Sequence, residues 1–185
     1  MPTFIDLPER ISAGLTESTK EVFAAVSQLD CIKTLLLCGG TGQSIQMNHR
    51  LSEDLDFELI GLRKERPQLD FKAILNNLKT PNLQDLLGMK VFALCVRTVF
   101  RDYYDIYCLL EAGCKLEEAI SYASYLSRHQ IRSKTMYSRL LSPQLFQRKQ
   151  DFERMCPKYA VSAEEIRDRI KVALEAENLK NKAKI

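Results

Sequence analysis

The apolar positions change their period along the chain, and the change divides it in two. Residues 8–29 carry Leu15, Val22, Phe23, Val26 and Leu29 at helical spacing. Thr16 or Ser18 can cap an inner turn there. Lys33 to Cys38 is a short apolar run stopped by Gly39-Gly40, the pattern of a buried strand. Thr41 to Asn48 reads as one short helix whose start faces the glycine turn. Asp54 to Ile60 predicts a second strand. Ser52, Asp54, Asp56 and Glu58 share one face, while Leu55, Phe57 and Leu59 share the other. Gly61 to Pro67 is a charged turn. Leu69 to Leu78 predicts a helix with Phe71, Ile74 and Leu78 on one stripe, and Thr80-Pro81-Asn82 breaks it.

Beyond that break the period is helical throughout. Leu83 to Val96 carries Leu86, Leu87, Met89, Val91, Phe92, Leu94 and Cys95. Residues 101–112 carry Tyr104, Ile106, Tyr107, Leu109 and Leu110, and Glu111-Ala112-Gly113 closes them with a glycine C-cap. Further helices are expected over 115–127, 131–141, 143–154 and 162–179. Ser162-Ala163-Glu164-Glu165 opens the last as a capping box, and Asn181 to Ile185 is expected to fray. The fold class that follows is α/β (α+β), mostly helical. A small sheet belongs to residues 1–82 and a helical region to 83–185.

With 185 residues, 45% of them hydrophobic, the chain can bury a real core and has room for a small second lobe. The net charge of +3 is too small to argue for nucleic acid by itself. No apolar run approaches the roughly 20 residues that span a membrane, and Met1 to Asp6 lacks the basic start of a secretory signal. Cys31, Cys38, Cys95, Cys108, Cys114 and Cys156 form no CxxC pair, and most sit in apolar runs. They read as reduced core residues of a cytoplasmic protein. His49 and His129 are too few and too scattered for a zinc site. His49 is expected to pack or hydrogen-bond near the strand, and Glu117 and Glu118 to be surface acids in a first helical turn. From Ile120 to Gln150 there is no acidic residue. Arg128, Arg132, Lys134, Arg139, Arg148 and Lys149 fall inside, interleaved with Tyr122, Tyr125 and Tyr137. Such a stretch suits RNA phosphates or forms a solvated basic face.

Two clusters carry chemistry. Asp54 and Asp56 lie two apart on the expected strand, so their carboxylates project the same way and repel unless a cation sits between them. Mg²⁺ takes one or two carboxylates together with substrate phosphates, and phosphoryl transfer uses it to neutralise charge. Gly39 and Gly40 let backbone approach a phosphate closely, and the next helix offers N–H groups at its start. Thr41 or Ser52 adds a hydroxyl. In the second cluster Lys90 interrupts an apolar helix and shares a face with Arg97. Its partner is a triphosphate, or Asp102 or Asp105, which stand three apart in a helix start.

Gly-Gly-Thr, His-Arg-x-Ser-x-Asp-Leu-Asp-Phe, Met-Lys-x-x-Ala-Leu-x-x-Arg and Arg-Asp-x-x-Asp-Ile occur in that order. Together they resemble the AbiEii/AbiGii toxin family, within the polymerase-beta-like nucleotidyltransferases. The likeness covers residues 30–112 and, more loosely, the helical part beyond. It implies a nucleotidyltransferase-like core over 1–82, with Gly39, Gly40 and Thr41 in the nucleotide-binding turn. Ser52, Asp54 and Asp56 would form the triphosphate and metal site, with Mg²⁺ or Mn²⁺ on Asp54 and Asp56. Lys90 and Arg97 would contact the nucleotide, and Asp102 would complete the catalytic set of Asp54, Asp56, Lys90 and Asp102. The implied partners are an NTP, tRNA or another RNA as acceptor, and a cognate antitoxin, with no membrane.

Two departures qualify the likeness. Gly42-Gln43 stand where the family has Ala-Leu. The stretch from Ile60 to Thr80 reads as one helix where the superfamily fits strands, one of them carrying a third carboxylate. The core then looks shortened, with Glu58 or Asp70 as substitute or no third acid, and two strands alone are marginal. A partner subunit could complete such a sheet. The alternative function is a degenerate, inactive relative that binds a nucleotide or a protein; a helical interaction protein is the third.

Overall fold

A computed structural model of the chain describes residues 7–59, 71–97, 99–142 and 150–182. The chain divides into two compact units. One comprises residues 1–86 with 155–158, and the other residues 87–154 with 159–185.

In the first unit the expected helix over 8–29 is two helices, α1 (Glu9–Ser12) and α2 (Glu17–Ser27). The break has a cause. A Cβ on Gly14 would stand 2.8 Å from the carbonyl oxygen of Ser44, so backbone approaches backbone there. Leu15 then pairs with Ser52 in an isolated bridge. A 3-10 turn (Asp30–Thr34) leads into β1 (Leu35–Leu37), which is followed by α3 (Gly39–Met47) and β2 (Phe57–Leu59). β1 is buried and bounded by Gly39-Gly40 as its apolar pattern requires. α3 ends at Asn48, which takes the left-handed conformation with φ 48°.

The expected helix over Leu69–Leu78 is instead a β-hairpin, β3 (Phe71–Leu75) and β4 (Leu78–Pro81). Asn76, with φ 50°, makes the turn. Between Ala73 and Leu75 the register shifts by a bulge. Positions 71, 74 and 78 therefore fit a helical stripe and a bulged hairpin equally. The core is not a two-strand remnant. Among the described residues the sheet has four strands in the order β2-β1-β4-β3, with β1 antiparallel to β2 and parallel to β4. Leu37, Ile74 and Leu78 join Ile11, Leu15, Phe23, Ile32 and Ile45 in one buried cluster, with Leu55 and Phe57 packed against it. Leu59, expected on the same face, is exposed at the strand end.

α4 (Leu83–Val96) has the expected bounds. Asn82 caps it, its side-chain oxygen accepting from the Asp85 N–H at 2.8 Å. The second unit contains α5 (Phe100–Glu111), α6 (Leu116–Leu126), α7 (Ser133–Leu140), a 3-10 turn (Gln150–Met155) and α8 (Ala163–Lys182). α5 and α6 both pack on α8. The predicted cap at Gly113 forms: its φ is 88°, and the Cys114 N–H donates to Leu109 O at 3.0 Å. The capping box also closes, with Ser162 N–H on Glu165 Oε2 at 2.7 Å and Glu165 N–H on Ser162 Oγ at 3.1 Å. Where a helix is expected over 143–154, residues 150–155 form the 3-10 turn; 143–149 lie outside the described residues, as do the charged turn at Gly61–Pro67 and Asp70.

All six cysteines are free thiols. Cys38 and Cys108 are buried, whereas Cys31 and Cys156 are exposed, so the core reading does not extend to that second pair. The architecture is α+β, as the sequence pattern indicates. Among the described residues no helix is long and apolar enough to cross a membrane.

Candidate functional site

The first unit brings the glycine turn and the acidic segment together. Gly39 opens α3 with φ 64°, a conformation that favours glycine. A Cβ there would lie on the Asp56 carboxylate, so that carboxylate stands directly against the turn. The Thr41 hydroxyl meets Ser52 Oγ at 2.8 Å and also bonds the carbonyl of Asp54. The Cys38 N–H donates to Asp56 O at 2.8 Å, one residue before the β1–β2 ladder begins. Gly39, Gly40, Thr41, Ser52, Asp54 and Asp56 thus converge within one unit. The N-cap residue Cys38 makes no side-chain bond to the helix start, so the first N–H groups of α3 lack that partner.

The expected strand from Asp54 is shorter than its alternation suggests, and the acids do not share one continuous strand face with Ser52. Ser52 is buried, while Asp54 and Asp56 are exposed. The backbone of 52–54 is bonded elsewhere. Ser52 N–H donates to Gly14 O at 3.0 Å, Thr16 N–H to Ser52 O at 3.3 Å, and Thr19 Oγ1 to Glu53 O at 2.9 Å. These bonds hold the segment between the α1–α2 junction and α3.

Gly42, one of the two departures from the family pattern, has a packing reason. A Cβ there would stand 2.6 Å from Leu37 O and 2.8 Å from Thr80 Oγ1. The helix therefore sits closer on β1 and β4 than an alanine permits. Gln46 secures the approach, donating to Pro81 O at 2.9 Å and Gly42 O at 3.1 Å.

Two carboxylates are an incomplete cation cage but a suitable donor set for Mg²⁺, which keeps open positions for water and phosphate. Among the described residues no group of three or more His, Cys, Asp or Glu could hold a metal alone. The hairpin supplies strands but no third acid: its charged residues are Lys72 and Lys79.

The second unit holds Lys90, Arg97 and Asp102. Lys90 Nζ lies 2.8 Å from Asp102 and 2.5 Å from Asp105, and all three side chains are buried. Arg97 forks onto Asp102, Nε at 3.0 Å and Nη2 at 3.2 Å, with nearly half of its side chain exposed. The sequence left open whether Lys90 meets a phosphate or an aspartate; here it meets both aspartates. Burial raises the Asp102 carboxyl, but the Lys90 charge and the Arg97 hydrogen bonds outweigh that and hold it below its ordinary value.

The family model for the nucleotidyl transferase AbiEii toxin of type IV toxin–antitoxin systems matches residues 60–176. The chain belongs to the AbiEii family. It is accordingly a toxin–antitoxin nucleotidyltransferase at family level, with a nucleotide as substrate class and an antitoxin as partner class. No curated protein and no solved structure matches it. The AbiEii match contains the hairpin, Lys90, Arg97, Asp102 and Asp105, but begins after Asp56. The glycine turn and its acids therefore rest on their own residues and geometry.

Sequence reasoning gave no role to Arg50. It is buried, and its Nη2 lies 2.5 Å from the position a Gly40 Cβ would take. Its signal was its place inside the His-Arg-x-Ser motif. His49 is buried, and its carbonyl accepts from the Lys158 N–H at 2.8 Å. Of the interleaved tyrosines, Tyr122 belongs to the core beside Gly88, whereas Tyr137 is exposed.

Proposed function

We propose that the protein transfers a nucleotide from an NTP to an RNA hydroxyl, joining that oxygen to the α-phosphorus and releasing pyrophosphate. The observation that carries the reading is the convergence in the first unit. Asp56 stands against Gly39, and Thr41 is bonded to Ser52 and Asp54. Gly39 and Gly40 bring backbone close to the phosphates, and the start of α3 directs N–H groups and a positive dipole end at them. Thr41 and Ser52 offer hydroxyls at the same turn. Mg²⁺ or Mn²⁺ on Asp54 and Asp56 would neutralise phosphate charge as the leaving group departs. In the second unit the charge of Lys90 is met by Asp102 and Asp105, and Arg97 forks onto Asp102, so the reading rests on the first unit.

The acceptor class rests on charge. Arg128, Arg132 and Lys134 are exposed in the acid-free stretch, with Tyr137 exposed nearby in sequence. Such a surface suits a phosphodiester backbone. The test is transfer of label from α-labelled NTP to total tRNA, wild type against Asp54→Asn. Label on RNA from the wild type alone is the expected result. No labelled acceptor and no Mg-NTP binding would remove the enzyme reading. A second reading, nucleotide binding without turnover, is favoured by the lack, among the described residues, of any group of three or more His, Cys, Asp or Glu that could hold a metal. It predicts Mg-NTP binding with no labelled product.

A further inference from the structure

Arg50 lies in the segment between α3 and β2 and is only 3% exposed. Burying a guanidinium costs several kcal/mol unless its N–H groups are bonded, so its position calls for a cause. Nη1 donates to Leu51 O at 2.9 Å and lies 3.8 Å from Met155 Sδ. Nη2 faces the glycine turn. It lies 2.5 Å from the position of a Gly40 Cβ, and Ser52 Oγ lies 3.2 Å from that same point. The one planar fork therefore reaches its own loop with one arm and the turn with the other.

The loop is clamped from the far end of the sequence. Lys158 N–H donates to His49 O at 2.8 Å, and Leu51 N–H donates to Met155 O at 2.7 Å. Residues 155–158 belong to the first unit although the chain around them belongs to the second. Between the two bonds Cys156 takes φ 47°, a left-handed conformation that costs a non-glycine residue about 1–2 kcal/mol. The strap thus holds the backbone on both sides of Arg50 and its guanidinium through a thioether.

We propose that Arg50 is the positioning residue of the triphosphate turn. Its guanidinium, fixed by the Met155–Lys158 strap, packs against Gly40 and brings a positive charge to the turn. This rests on the nucleotide-transfer reading. A side chain at residue 40 would displace this guanidinium, and an ammonium at position 50 lacks the second arm that meets Leu51 O while the first faces the turn.

The test measures Mg-NTP binding by calorimetry and transfer kinetics on the full chain, for wild type, Arg50→Gln, Arg50→Lys, Gly40→Ala and Lys158→Pro. Thermal unfolding confirms that each is folded. Arg50→Gln should raise Kd and KM for the NTP about tenfold or more while kcat changes less. Arg50→Lys should fall between it and wild type. Gly40→Ala should match Arg50→Gln, and the double variant should be no worse than either, because both disturb one contact. Lys158→Pro, which deletes the strap's donor but keeps the arginine, should raise Kd a few-fold, roughly 1 kcal/mol. Folded Arg50→Gln or Arg50→Lys with wild-type Kd and KM would overturn the proposal, as would additive effects of Arg50→Gln and Gly40→Ala. If the wild type binds no NTP, the nucleotide-transfer reading itself fails, and this inference with it.

Discussion

Asp54 and Asp56 in the first unit and Asp102 and Asp105 in the second are the same side chains in opposite surroundings. The first pair is exposed. The second is fully buried, with Lys90 between its members and Arg97 on Asp102. An exposed carboxylate pair is stable in water alone and can recruit a cation together with a phosphate. A buried pair has no such freedom, since its desolvation must be offset by a cation already in the fold. Four aspartates near one motif set are therefore not four equivalent members of a site. One pair is open to solvent; the other is closed around Lys90 within the fold.

The widest separation between the two pairs should come from Lys90→Ala. It leaves two buried carboxylates without their main cation, which costs about 3–5 kcal/mol. Denaturant unfolding of the variant should show that loss whether or not a nucleotide is present. A loss under about 1 kcal/mol would mean the second pair is not structural, and the contrast would collapse. Adding Asp102→Asn and Asp105→Asn should recover part of the stability, because the stranded charges are then gone.

Next in size is the converse experiment on the exposed pair. Asp54→Asn or Asp56→Asn should cut nucleotide transfer by roughly 100-fold, about 2.7 kcal/mol of transition-state stabilisation. Unfolding stability should move by no more than about 0.5 kcal/mol, as for other exposed sites. A large stability loss would show that these acids are structural too.

The contrast was only half legible in the sequence. A buried run stopped by glycines, with a second apolar segment soon after it, points to Asp54 and Asp56 near the Gly39-Gly40 turn; the Asp56 carboxylate stands there, and Asp54 reaches Thr41 through its carbonyl. That Lys90 would be satisfied from within followed from its apolar neighbours, yet a triphosphate and an aspartate satisfy it equally on paper. Only burial decides between them. The α5 and α8 caps were readable because capping is a local code: Gly113, and Ser162 with Glu165, act within a few residues. The hairpin was misread because a bulge between Ala73 and Leu75 removes strict alternation. The Asn76-Asn77 pair was its surviving signal. Arg50 was missed because its role depends on Met155 and Lys158, more than 100 residues away.

The smallest effect should come from Arg97, and it tests the buried pair without dismantling it. Arg97 is 46% exposed, so solvent screens much of its attraction to Asp102. Arg97→Ala should cost at most about 1 kcal/mol near neutral pH. The sign of the pH dependence is fixed by Asp102. Its folded-state value lies below the unfolded one, held down by Lys90 and Arg97 against the opposing effect of burial. The stabilisation is therefore fully present above the unfolded carboxyl value, near 4, and is lost as pH falls through the folded value. Wild-type stability should accordingly be level around neutrality and decline below about pH 4. Removing Arg97 deletes one cause of the lowering, so the decline should begin at higher pH. Urea unfolding between about pH 3 and pH 7 reads this directly. An unchanged acid limb would mean that Lys90 alone sets Asp102, and that Arg97, with its exposed guanidinium, belongs with the ligand-facing residues rather than with the buried pair.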